Sequence, residues 1–454
     1  MNSRFTPFLR PFLSADSWQA QVPAYALGLF RIWFGILMAW EMLYFIRIDF
    51  VEIFISMPMV KMSYTGVSWL KPLPDAMMWG LIYLLLAASI LIILGKWFRW
   101  AMLFFAIGFT YIFLLDQAYY NNHLYLLSIL SFWMATMPLD AALAVGKKEA
   151  STAPAASYAI LRFHIVMVYF FGGIAKLNPD WLLRQQPVQE LMVSTPFLSN
   201  LLGEDLAVYF LTYGGVVFDL VIGFFLLYKP LRSLGFAGAI LFNGLNAIVF
   251  DDINIFPFFM LGTLVLFLEP ETVAAWFKNT SPKKDKKASK ATPTATKLWG
   301  KDKLLQQVFI AYVVFQCVWP FRHLVIPGEV EWTGQGQLFS WRMKIQHRSI
   351  KQMEFMVMDY RSRQLIPVDL DAYHINYDQR NAMARNPQLI MTMVDFLANR
   401  AKSKQGHEEI GVQAKISVAF NGRSPQWITD PEKDLTKEEY HAWGRNDWIL
   451  PLAE

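Results

Sequence analysis

The chain has 454 residues, of which 55% are hydrophobic and only 17% charged, where an ordinary soluble domain carries roughly 25% charged residues. Its Asp, Glu, Lys and Arg are thin between about 76 and 270 and dense after 340, which excludes a single soluble globule and predicts a lipid-embedded part joined to a water-exposed one. The net charge of +5 comes mostly from Lys and Arg in short loops between apolar runs, so it argues for a positive-inside membrane topology and against nucleic acid as a partner.

No short apolar core with a small-residue cleavage site accompanies Arg4 and Arg10, so no removed signal peptide is expected, and the first spanning helix is expected to do the targeting. A spanning helix needs about 20 mostly apolar residues. Nine runs meet or approach this: 24 to 46, 76 to 95, 99 to 115, 123 to 141, 157 to 175, 207 to 228, 232 to 250, 254 to 271 and 304 to 320. The run at 123 to 141 is short, and the one after Asp251 is interrupted by Pro257, so either is a candidate re-entrant segment. With the N-terminus cytoplasmic, alternate loops hold Lys96 and Arg99, Lys147 and Lys148, Lys229 and Arg232, and the run Lys283, Lys284, Lys286, Lys287 and Lys290. The opposite loops hold only Arg184, apart from the loop 47 to 75 with Arg47, Lys61 and Lys71, and nine crossings put the C-terminus outside.

Residues 279–302 are rich in Lys, Ala, Ser, Thr and Pro and read as a cytoplasmic linker that buries too little apolar surface to fold. After 325 the pattern alternates, at Phe339, Trp341, Met343 and Ile345 and again at Met353, Phe355 and Val357, which predicts strands. Asn421-Gly422 between two apolar stretches predicts a hairpin, and 370 to 403 a helical region. The expected fold class is a polytopic α-helical membrane protein of about nine transmembrane helices with a C-terminal extracytoplasmic mixed α/β domain rich in β-strands. Its expected parts are a membrane domain over 1–278, the linker over 279–302, a last transmembrane helix over 303–322 and the soluble domain over 323–454.

Polar groups at membrane depth are costly and therefore candidate functional residues. Asn121, Asn122 and His123 open the fourth segment; Lys176, Asn178 and Asp180 close the fifth; Asn246, Asp251 and Asp252 close the seventh; His323 follows the ninth, all on the outer side. Lys176 ends the apolar run from Tyr169 to Ala175, where partial desolvation favours the neutral amine, and so a base, although a lysine snorkelling at a helix end has the same pattern. His123 suits proton relay or a structural hydrogen bond. Arg162 and His164 line a cavity or pack as a pair, and Asp219, inside the sixth segment, needs a partner or a proton. Cys317 is the single cysteine, which excludes an intramolecular disulfide and a cysteine-based zinc site. There is no P-loop, no G-x-S-x-G, no H-E-x-x-H and no clustering of the seven histidines, so no metal is expected.

The stretch Leu161-Arg162 followed by Val168-Tyr169-Phe170-Phe171-Gly172-Gly173-Ile174-Ala175-Lys176-Leu177-Asn178-Pro179-Asp180-Trp181 resembles the signature around the catalytic lysine of vitamin K-dependent gamma-carboxylases. Asn121-Asn122-His123 is similar to that family's Asn-Asn-His element, Phe339-Ser340-Trp341-Arg342-Met343 to its Ser-Trp segment, and Asn421-Gly422-Arg423 with Ile428-Thr429-Asp430-Pro431 to a further element, all in family order. The resemblance implies an enzyme that uses reduced vitamin K or a menaquinone-type naphthohydroquinone with O2 and CO2. In that chemistry a lysine deprotonates the hydroquinone, oxygen adds, the resulting alkoxide removes a γ-proton from glutamate, CO2 traps the carbanion and the quinone leaves as its epoxide. It implies Lys176 and His123 as catalytic residues, with Asn122, Arg162, Tyr169, Asn246, His323 and Trp341 as substrate- and cofactor-binding groups. The implied partners are membrane lipid, quinone and a glutamate-containing protein or peptide; the Lys-rich cytoplasmic linker and the short tail lead us to expect a bacterial member, in the inner membrane with the active face periplasmic. The chain departs from the family at Phe242-Asn243, where Phe-His is usual, and over Asp251 to Asn254. Its end at Glu454 leads us to expect reduced propeptide-holding regions. The alternative is a non-enzymatic quinone- or lipid-binding protein, or a maturation or immunity factor, on the same scaffold.

Overall fold

A computed structural model describes residues 15–146, 151–194, 197–249, 254–278 and 303–453. The expected linker, the loop lysines Lys147 and Lys148, and Asp251 and Asp252 lie outside the described residues.

The membrane part begins with the two-stranded pair β1 (Gln21–Pro23) and β2 (Thr152–Pro154), which ties the start of the first long helix to the start of the fifth. The long helices are α1 (Tyr25–Arg47), α2 (Asp75–Leu94), α3 (Phe98–Leu115), α4 (Asn122–Thr136) and α5 (Ala155–Ala175). They are followed by α6 (Glu204–Leu227, with a π-helical turn at Phe210–Gly214), α7 (Arg232–Val249), α8 (Phe256–Thr263), α9 (Pro270–Lys278) and α10 (Lys303–Val318). Seven of the described helices are long and apolar enough to cross a membrane, and a bent pair, Phe256–Phe267 with Pro270–Phe277, makes an eighth candidate. The two runs singled out as short or interrupted are where the count departs from nine. Helix α4 has only 15 residues, about 22 Å of rise.

Pro257 does not interrupt a helix as expected: it sits in the first turn of α8, where its missing N–H costs nothing. The break falls before Pro270, with a bend of 94°. Arg162 of α5 meets the carbonyls freed there, its Nε donating to Leu266 O at 2.6 Å and Nη2 to Leu268 O at 3.4 Å. Arg31 of α1, fully buried, serves the far end of α2 in the same way. It donates to Ile92 O and Ile93 O in the last turn of α2 and to Leu139 O and Leu143 O in the loop after α4, at 2.5–3.2 Å, tying that loop to the helix end.

The C-terminal domain is a four-stranded antiparallel sheet in the order β4-β3-β5-β6, from β3 (Arg348–Asp359), β4 (Gln364–Pro367), β5 (Ile410–Phe420) and β6 (Gln426–Trp427). Two helices, α11 (Tyr377–Arg385) and α12 (Pro387–Gln405), accompany it. Asn376 and Asn386 cap them, Pro387 opens α12, and Gly406 at φ +75° closes it, so the helical region expected at 370 to 403 is divided by its own capping residues. Met353, Phe355 and Val357 lie on β3, and Asn421-Gly422 turns β5 toward β6 with φ of +46° and +75°.

The strand expected over 339 to 345 is absent. Phe339, Trp341 and Lys344 have φ of +55°, +59° and +55°, and each left-handed residue breaks the two-residue alternation that a strand requires. The segment instead wedges between the two parts. Trp341 and Met343 join the apolar core of the helical bundle, while Ile345 packs in a cluster with Ala175 and Trp181. The loop after α1 completes the union, because Val60 and Met62 lie in the core of the C-terminal domain.

Candidate functional site

Helix α5 carries the site. Its last stretch, Tyr169 to Ala175, is apolar except for the tyrosine hydroxyl, and Lys176 caps it, 92% buried. Gly173 lets α6 come close: a Cβ there would meet the Leu220 side chain at 2.8 Å and its backbone nitrogen at 2.9 Å. Gly223 on α6 does the same against Val166. This close approach brings Asp219, one residue before Leu220, onto Lys176. The Lys176 ammonium donates directly to Asp219 Oδ2, and both side chains are buried. Asp219 therefore has the partner that sequence leaves unnamed.

Around the pair, the Lys176 Nζ sits 5.2 Å from the centre of the Trp181 ring. Trp181 is fixed by its backbone N–H to Asn178 Oδ1 at 3.0 Å and its Nε1 to Thr212 O at 2.9 Å, across to the π-helical turn of α6. About two turns before Lys176, the Tyr169 hydroxyl accepts from Asn243 Nδ2 at 2.9 Å, and Asn243 also bonds Ala239 O of its own helix. Phe218 and Phe242 stack beside them with ring centres 4.0 Å apart. Asn243, noted in the sequence only as a departure, thus becomes part of the site. Asn246 lies one turn further along α7, half-buried.

The C-terminal domain closes this end. Asp180 accepts from Arg423 Nη1 and Nη2 at 2.8 and 2.7 Å and from Asn421 Nδ2 at 2.9 Å, so the Asn421-Gly422-Arg423 turn grips the chain four residues after Lys176. Burial pushes the Asp180 carboxyl up, but the hydrogen bonds and charge of Arg423 and Asn421 outweigh it and hold it below the usual carboxylate range. Asn178, Pro179 and Trp181 form a capped turn that puts Asp180 in reach.

His123 lies at the opening of α4, 8% exposed, with its ring 6.1 Å from that of Phe256 at the start of α8. The Asn121 side chain caps α4 by accepting from the His123 N–H at 3.4 Å. Asn122 accepts from the Tyr120 hydroxyl at 2.9 Å, and that hydroxyl accepts from the Phe339 N–H at 2.7 Å. Trp341 is fully buried, its ring 5.0 Å from that of Tyr125, and its indole Nε1 has no hydrogen-bond partner among the described residues. His323 pairs through Nε2 with Arg342 Nη1 at 3.2 Å and through Nδ1 with Pro320 O at 2.8 Å, while Arg342 also reaches Glu331 and Gln337.

The structure thus gathers Lys176, Tyr169 and Asn243 with Asp219 around α5 to α7, and sets His123, Asn122, His323 and Trp341 at elements that meet the C-terminal domain. Arg162 is elsewhere: fourteen residues before Lys176 on the same helix, it lies about 21 Å away along the axis, holding the bend before Pro270. Glu41, buried on α1 and accepting from Asn254 Nδ2 at 3.3 Å, is a further buried carboxylate near the start of α8 that the sequence reading passed over. Its signal was a single carboxylate inside the run 24 to 46.

This is a multi-spanning helical membrane protein with a buried lysine–carboxylate pair at the end of its helices that meets a C-terminal α/β domain. Residues 20–272 match the HTTM domain family, and 301–454 match the vitamin K-dependent gamma-carboxylase, lumenal domain. The chain belongs to the vitamin K-dependent gamma-carboxylase family. No solved structure matches it.

Proposed function

We propose that the protein is a naphthohydroquinone-dependent gamma-glutamyl carboxylase and epoxidase, with Lys176 as its base and His123 beside the reacting groups. The observation that carries this reading is Lys176 itself: a buried amine at the end of an apolar helix, paired with a carboxylate and covered by the C-terminal domain. A snorkelling lysine extends its amine toward water; this one is held inward against Asp219 and Trp181.

The residues present fit a planar aromatic co-substrate bearing ring oxygens. About Lys176 and Asp219 stand the Trp181 and Phe218 rings with the Tyr169 hydroxyl and the Asn243 amide, and at the α4 end stand the Phe256 ring beside His123 and, against Tyr125, the Trp341 N–H, buried and unpartnered among the described residues. When bound with O2, a reduced naphthoquinone supplies the strong base that glutamate γ-deprotonation requires, and CO2 captures the carbanion. Lys176 would take the hydroquinone proton at Nζ. Tyr169 and Asn243 would orient the ring oxygen, and Asn122 would hold Tyr120 against Phe339 so that the domain shuts water out. Arg342, neutralised by Glu331 and set by Gln337, would fix His323. The alternating Lys and Arg of the loops support an active face opposite the cytoplasm, which in a bacterial inner membrane would be the periplasmic one.

The test is quinone epoxide formation and incorporation of labelled CO2 into a glutamyl peptide by detergent-purified protein with reduced vitamin K, comparing wild type with Lys176→Ala. Both activities in wild type and neither in the variant support the reading. Epoxide without fixed CO2 leaves an epoxidase with another substrate. Neither activity in folded, quinone-binding protein overturns it in favour of a binding protein on this scaffold.

A further inference from the structure

Asp219 lies in the stretch Gly215–Leu227, where every other residue is apolar or glycine, and it is buried. A carboxylate at such depth is costly unless it is paired or neutral. Its partner is the Lys176 ammonium, and the close packing at Gly173 and Gly223 fixes the two groups in register. If the pair served stability alone, an apolar pair of similar volume would serve as well. The proposed base adds a requirement, since a lysine can take a proton only after losing its own.

Resting on the reading of Lys176 as base, we infer that Asp219 is its proton partner: the Asp219 carboxylate takes a proton from the Lys176 ammonium and leaves the amine neutral to accept the proton of a substrate hydroxyl. One N–H bond breaks and one O–H bond forms at Asp219 Oδ2, so the ion pair becomes a neutral amine and a carboxylic acid with no change in total charge. The amine lone pair then forms an N–H bond to the substrate proton, and the electron pair of the broken O–H bond stays on the substrate oxygen. The ionisable group facing the pair from α5 is Tyr169, whose hydroxyl feels the Asp219 charge and is hydrogen-bonded by Asn243. Across this stretch α7 presents the Asn243 amide at Tyr169, the segment 339 to 345 presents Met343 near Gly172, and Asp180 is already taken by Arg423 and Asn421. Asp219 is thus the carboxylate in direct contact with the amine.

The test uses the full chain in detergent with vitamin K hydroquinone, comparing wild type, Lys176→Ala, Asp219→Asn and Asp219→Glu. Asp219→Asn keeps the shape and a hydrogen bond but takes no proton. It is expected to lower kcat for epoxide formation by about tenfold or more, to leave KM within about twofold as expected of a group that acts in the proton step alone, and to displace the pH profile to higher pH. Asp219→Glu is expected to return part of kcat. An Asp219→Asn protein with wild-type kcat and pH profile overturns the inference, as do Asn and Glu variants equally impaired through KM with an unmoved profile. An infrared difference spectrum on hydroquinone addition needs no turnover: a protonated-carboxyl band present in wild type and missing in Asp219→Asn supports the inference, and its absence from wild type overturns it. Lack of epoxide formation by wild type, with that band present, removes the carboxylase reading and leaves the proton pair.

Discussion

Replacing Gly173 by alanine would put a methyl carbon 2.8 Å from the Leu220 side chain and 2.9 Å from its backbone nitrogen, where ordinary contact begins at 3.4 Å. The backbone atom cannot swing aside, so α5 and α6 must part by about 0.5 Å, at an overpacking cost of about 1–3 kcal/mol. Helix propensity returns at most about 1 kcal/mol of this. The neighbouring Gly172 is the control: its Cβ would meet Met343 Cε at 3.5 Å and Asp219 Oδ2 at 3.6 Å, both ordinary contacts. We expect Gly173→Ala to lower the melting temperature in detergent by roughly 2–5 °C and, by moving Lys176 off Asp219, to reduce epoxide formation about 10- to 100-fold. Gly172→Ala is expected to stay within about 0.5 kcal/mol of wild type, the range of substitutions that disturb no contact. Equal effects of the two substitutions, or a larger effect at Gly172, would refute the packing account of how the pair is held.

Arg423→Ala leaves a buried Asp180 without its bidentate partner, and a loss of about 3 kcal/mol should appear as earlier melting and faster tryptic release of the C-terminal domain. Because the folded Asp180 carboxyl titrates below its unfolded value, its stabilisation is present above about pH 4 and lost as pH falls further; Asp180→Asn should abolish that acid limb. Asp116 has the opposite sign, since burial, only partly countered by the Ala118 and Met62 N–H groups, raises it to about 6. Stability should therefore fall by up to about 3 kcal/mol as pH rises from about 4 to 6, and a pH series of melts should be flat over that window in Asp116→Asn. Arg31→Met strips four carbonyls of a donor in the bundle interior and should prevent recovery of folded, monodisperse protein, whereas its activity and melt unchanged would show those carbonyls to be served otherwise.

The spanning runs and the Lys176 position were legible because each is a local property of a few consecutive residues. Asp219 was legible as a problem, and its solution was not, because the partner depends on the depth to which two glycines let helices sink together. Arg423 and Asp180 are 243 residues apart, and no local pattern joins them. The 339 to 345 segment misled because large apolar residues at every second position mean a strand only when the backbone is extended. Here three left-handed residues turn Trp341 and Ile345 toward different cores. Arg162 was legible as polar within the fifth segment, and its distance from Lys176 follows from the fourteen residues that separate them; that it serves the carbonyls before Pro270 was not, because the bend there belongs to another element.

The grip of Arg423 on Asp180 also sets an order of events during synthesis. At about 5–20 residues per second, the ribosome needs roughly 12–50 s to travel from Asp180 to Arg423. Through that interval the helices bearing Lys176 and Asp219 are already made, while the residues that cover them are not. The newborn site stays open to water until Arg423 has been made and has docked on Asp180, so the helices that hold the Lys176–Asp219 pair precede its cover by the whole of that interval.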